Sequence, residues 1–163
     1  MSRETGRTGS VGLVMRVVAS LPSTCAACRE RSALEVMQTL RKGQLSWSER
    51  FACACGHGFE AKSAGLPTPA ARQALMAANG RLFVWVDAVP ASGKAWAVLA
   101  KVLDAPEAEV RQAMGALPAR VWEGTSPEAD FMRQALTRSG AAVRVEVVPE
   151  RPAVTRPSAR RRR

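Results

Sequence analysis

The sequence predicts an α+β chain built from a small cysteine-bearing β module and a larger β-α-α-β-α-β domain, and three observations carry that prediction. Every cysteine and the only histidine fall within residues 11–62, where the apolar pattern is short and strand-like. Residues 63–80 break that pattern with Gly65, Pro67 and Pro69. From residue 81 onward, runs of period two alternate with runs of helical spacing, in the order strand, helix, helix, strand, helix, strand.

Taken in order, residues 1–10, "MSRETGRTGS", are polar and aperiodic and are predicted to be disordered. "VGLVMRVVASLP", interrupted by Arg16, reads as a strand. "SALEVMQTL" fits either a strand or a short helix. In "QLSWSERFAC", Leu45, Trp47, Phe51 and Cys53 alternate with Ser46, Ser48 and Arg50, the mark of a half-buried strand, and "KGQ" supplies the turn before it. Within 63–80, a linker leads to a short helix capped by Thr68, with Pro69 at its first position and Gly80 just past its end. "RLFVWVDAV" is a strand with Phe83 and Trp85 on one face and Val84 and Val86 on the other. "GKAWAVLAKVL" has helical spacing, and Pro106 ends it and opens "PEAEVRQAMGAL". "ARVWE" is a short strand, Ser126 is the expected cap of a third helix ending at Ser139-Gly140, and "AAVRVEVV" closes by clean alternation.

Charge is unevenly spread along the 163 residues, whose net is +10. Residues 66–150 carry nine bases and nine acids, whereas residues 151–163 carry six Arg and no acid. The closing run "RPSARRRR", with Arg160, Arg161, Arg162 and Arg163, reads as a solvated tail or as a grip on a polyanion such as RNA or DNA. No stretch approaches the ~18 apolar residues of a membrane span, so the chain is expected to be cytoplasmic. Catalytic constellations are missing as well. "PASGKAW" lacks the spacing of a phosphate-binding loop, the acids are scattered with no pair placed for a cleft, and a single histidine leaves no Ser-His-Asp candidate other than one built on His57. A non-enzymatic role is expected.

The cysteines carry the chemistry. Cys25 and Cys28 form C-x2-C, whose thiolates can share one tetrahedral ion. Cys53 and Cys55 form C-x-C, two sulfurs on one side of an extended strand. The twenty-four residues between Cys28 and Cys53 leave room for a pair of strands. A metal site, a redox dithiol at "CAAC" and ordinary buried cysteines are the three readings of this pattern, and the cytoplasmic expectation favours the first over disulfides. "FACACGHGFEAK" resembles the second knuckle of zinc ribbons, in which cysteine is followed by glycine, a polar residue and an aromatic in the returning strand. That resemblance implies one structural Zn2+ held by Cys25, Cys28, Cys53 and Cys55, with His57 as an alternative ligand in place of Cys53 or Cys55.

A second resemblance covers residues 81–148. "LPARVWEGTSPEADFMRQALTRSGAAVRVEV" carries Pro118, Val121, Glu123, Gly124, Ser126, Glu128, Ala129, Leu136, Gly140, Ala141, Val143 and Val145 in the places where the C-terminal domain of the bacterial ribosomal stalk protein has matching residues. It implies that domain's fold and a role in protein–protein interaction. The family's glycine-containing turn is replaced here by the shorter "DAPEA". Its factor-contacting basic positions fall near Ala100 and Leu103, with Lys94 and Lys101 nearby. The expected function is therefore a zinc-binding adaptor that engages a protein partner through residues 81–149. The alternative is an RNA- or DNA-binding protein that uses the zinc ribbon and the basic tail, with Trp47 to stack a base and Arg41, Lys42 and Arg50 to meet phosphate.

Overall fold

A computed structural model describes residues 14–90 and 94–148. The terminal segments read as disordered, including Arg160 to Arg163, lie outside the described residues. The chain is α+β, with two antiparallel sheets. Strands β1 (Met15–Thr24), β2 (Arg31–Arg41), β3 (Gln44–Ala52) and β4 (Gly58–Ala64) form a four-stranded meander in sequence order. Helix α1 (Pro69–Asn79) follows, then β5 (Leu82–Ala88), α2 (Lys94–Leu103), α3 (Glu107–Ala113), β6 (Ala119–Gly124), α4 (Ser126–Arg138) and β7 (Ala142–Val147). The second sheet has the order β6-β5-β7.

"SALEVMQTL", open between helix and strand, is strand β2 because it pairs on both sides, with β1 and β3. The β2–β3 turn is Lys42-Gly43, both with positive φ (51° and 74°). That is the backbone twist a two-residue hairpin loop needs, and glycine meets it without strain. Each hairpin register puts Val17, Val36 and Leu40 on one face of the meander. Helix α1 lies on that face: Leu75 and Ala71 are buried against Val17, Ala19 and Val36, and the Asn79 amide donates to the Val18 carbonyl. Thr68 caps α1 as the sequence predicts, accepting from the Ala71 amide. Residues 69–79 are thus packed onto the first sheet.

The second sheet is built the same way. Val84 and Val86 of β5 are fully buried against Ala95 and Leu99 of α2, Val110 of α3, and Met132 and Leu136 of α4. Phe83 and Trp85 take the opposite face, where the guanidinium of Arg120 lies 4.4 Å above the Phe83 ring and that of Arg144 lies 4.7 Å above Trp85. Helix α3 stops at Ala113, well before the Leu117 that its apolar spacing reaches.

Helix α4 joins the two halves, packing on the second sheet and also on β1, β2 and β3. Its cap is Thr125, one residue earlier than the expected Ser126. The Thr125 hydroxyl accepts from the Glu128 amide and donates to the Gln38 side-chain oxygen on β2, so a tertiary contact selects the cap. Three residues on, the Glu128 carboxylate is almost wholly buried. It accepts from Arg72 on α1 (Nε 2.8 Å and Nη2 2.6 Å to Oε2), from Gln38 Nε2 (3.0 Å) and from Trp122 Nε1 (3.3 Å). Arg72 also donates to the Glu123 carbonyl. A buried charge survives only when paired and hydrogen-bonded, and these partners come from both halves of the molecule.

Candidate metal centre

Two knuckles at one end of the meander bring the cysteines together. The first is the β1–β2 turn, where the Cys25 amide donates to the Glu30 carbonyl and the Arg29 amide donates back to the Cys25 carbonyl. The second is the β3–β4 turn, where the Cys53 amide donates to the His57 carbonyl and the Gly56 amide to the Cys53 carbonyl. Strands β2 and β3 fill the interval between Cys28 and Cys53, and their pairing sets both turns side by side.

Sulfur geometry fits a tetrahedral ion. Cys25 Sγ lies 3.7 Å from Cys55 Sγ, and Cys28 Sγ lies 3.5 Å from Cys53 Sγ. All four sulfurs fall within 4.8 Å of one another. Zn–S bonds of about 2.3 Å in a regular tetrahedron place sulfurs about 3.8 Å apart. A disulfide needs about 2.05 Å, and all four cysteines are free. These four cysteines could hold a metal ion.

The protons of the cluster show what an ion would supply. The Cys28 backbone amide, with help from Ala27, holds the Cys25 thiol down at about 6 against the opposing effect of burial. The Cys55 amide also draws Cys53 down, but the Cys28 and Cys55 sulfurs and burial outweigh it and push that thiol up to about 12. Cys28 is raised too: the Glu30 backbone and Cys53 favour its thiolate, while burial and the Cys55 and Cys25 sulfurs oppose it more strongly. One thiolate forms easily and the next ones resist, because negative charge accumulates in a small volume. A dication at the centre would remove that resistance.

His57 stands outside the sulfur group. It is exposed in the second turn, its ring edge-on to Phe51 with centroids 6.2 Å apart, and Phe51 stacks in turn on Phe59 of β4 at 5.8 Å. Its contribution to the knuckle is the backbone carbonyl that Cys53 engages. Of the residues considered for phosphate and base contact, β3 puts Trp47 on the packed face opposite Gln38 and Arg50 on the outer face opposite Glu35. Sequence reasoning missed the Arg72–Glu128–Gln38 group. Its signal was Gln38 itself, a polar residue on the same strand face as Val36 and Leu40.

No family model, curated protein or solved structure matches the chain. Among the described residues, no helix is long and apolar enough to cross a membrane.

Proposed function

We propose that this chain is a non-enzymatic cytoplasmic adaptor, in which one structural zinc ion stabilises a zinc-ribbon-like module and the stalk-like domain engages a protein partner. The observation that carries the reading is the four-sulfur cluster with tetrahedral spacing. Four thiolates saturate zinc and leave no position for a reacting water, so the ion would hold the two knuckles together. The order β5-α2-α3-β6-α4-β7 supports the resemblance to the ribosomal stalk domain, and fold likeness suggests a role without fixing the partner. Metal analysis of the purified chain should find about one zinc per chain, and chelation should unfold the knuckles because metal binding and folding are coupled. A metal-free chain with intact near-ultraviolet signal would overturn the zinc assignment.

The second reading, RNA or DNA binding, is favoured by one observation: six Arg and no acid in residues 151–163. Affinity for single-stranded RNA and duplex DNA, measured at two salt concentrations with and without those residues, tests it. Phosphate contacts would give a steep salt slope that the truncation flattens. Binding that is absent at low salt removes this reading.

A further inference from the structure

An open cavity lies away from the cysteines, where the two halves of the molecule meet. Its volume is about 1020 Å³, at the upper end of the range of ligand sites. Helix α4 forms the floor, because it packs both on α2 and on β2 and β3. Val98 and Val102 of α2 form one wall, Phe131 and Met132 of α4 the base, and Leu45 with the exposed Leu66 the other wall. Cations stand on both lips: Arg41 and Lys42 at the β2–β3 turn, and Lys101 on α2. Glu128 is the single acid lining the groove among the described residues, and Arg72 already pairs with it. None of the three lip cations has an ion-pair partner among the described residues.

The shape of the lining points to the occupant. Val98, Lys101 and Val102 sit at i, i+3 and i+4 on α2, while Glu128, Phe131, Met132 and Ala135 sit at i, i+3, i+4 and i+7 on α4. Two such rows side by side form the ridges between which a third helix seats. The lips set its charge: an acidic flank meets Arg41 and Lys42 on one side and Lys101 on the other, whereas a basic flank would be repelled by both.

We infer that the groove between α2, α4 and the β2–β3 hairpin docks one amphipathic helix of a partner protein, apolar on its buried face and acidic along both flanks. This rests on the adaptor reading and names its docking site and partner chemistry. The full chain is titrated with a labelled 14-residue helical peptide carrying Leu at i, i+3, i+4 and i+7 and Glu on both flanks, and with the same peptide flanked by Lys, binding being read by fluorescence polarisation. The acidic peptide should bind at least about tenfold more tightly, the sign that lip charge selects the partner. The double variant Lys42→Glu, Lys101→Glu changes two exposed side chains, and it should cut that affinity at least about tenfold and reverse the preference at unchanged melting temperature. Equal affinity for the two peptides, or affinity that survives the double variant, overturns the proposal. So does the converse pattern, in which the double variant weakens binding of palmitate or of a uridine oligonucleotide and spares the peptide. Partner capture from cells separates the two levels of the argument. A partner held equally by the natural chain and the double variant overturns the groove and leaves the adaptor reading standing, whereas no captured partner overturns both.

Discussion

Replacing Glu128 by Ala removes the one group that Arg72, Gln38 and Trp122 all address. The carboxylate accepts from Arg72 Nη2 at Oε2 (2.6 Å), and Arg72 Nε shares its one hydrogen between Oε2 (2.8 Å) and Oε1 (3.1 Å). Its side chain is 1% exposed and that of Arg72 is 24% exposed. Breaking a buried ion pair by deleting one partner costs about 3–5 kcal/mol, since the remaining charge is left uncompensated. Arg72 can reach some water, so the lower end, about 3 kcal/mol, is expected. For a chain of this size each kcal/mol shifts the melting temperature by about 2–4 °C, which gives a drop of roughly 6–12 °C. The matched control is Glu123→Ala. Its side chain pairs with Arg81 at 3.0 Å, but the two are 37% and 51% exposed, and such a pair contributes about 0–1 kcal/mol. Urea and thermal unfolding of both variants at equal zinc loading supply the comparison. The double replacement Arg72→Met, Glu128→Leu should recover most of the loss, because it removes both charges together. If Glu128→Ala falls within about 1 kcal/mol of Glu123→Ala, the buried junction does not hold the two halves together.

Three further outcomes follow from the same structure. Gly124→Ala should destabilise about as much as Glu128→Ala, since its new methyl would collide with the Glu128 carboxylate and lie 2.7 Å from Trp122 Nε1 and 2.9 Å from Arg72 Nη2; a melting temperature equal to that of the natural chain contradicts this. Leu75→Ala should cost about 2–5 kcal/mol in urea unfolding, because Leu75 is fully buried between α1 and the first sheet; a cost near zero would mean that α1 does not pack there. Zinc affinity should fall as pH falls. In the metal-free chain Cys53 is raised to about 12 and Cys28 is also raised, so near neutral pH zinc must displace both protons. Those two protons alone make the apparent affinity drop at least about a hundredfold per pH unit, measurable by competition with a chromophoric chelator. A slope below tenfold would mean that fewer of these thiols become ligands.

Local rules were legible from residue types alone. Thr68, Pro69 and Gly80 mark both ends of α1, as capping chemistry requires. Alternation in β5 correctly separates Val84 and Val86 from Phe83 and Trp85. The C-x2-C and C-x-C pairs, one strand pair apart, already place four sulfurs at the same end of a meander. Position 126 shows where local reading stops: "TSPE" offers two adjacent hydroxyls as caps, and the choice of Thr125 depends on Gln38, some ninety residues away along the chain. Residues 31–41 show it again, since their strand state comes from pairing on both edges and their own propensity fits two answers.

By itself the sequence determined the order of elements from β5 to β7, the ends of α1 and the four cysteines that could hold a metal ion, because each depends on residues near one another in the chain. Only the tertiary structure decided that α1 and α4 close over the first sheet, that Glu128 is buried with Arg72, and that a cation-lipped groove opens between the halves. Those features arise where surfaces distant in sequence meet, and burial assigns a charge its partner only once both surfaces are in place.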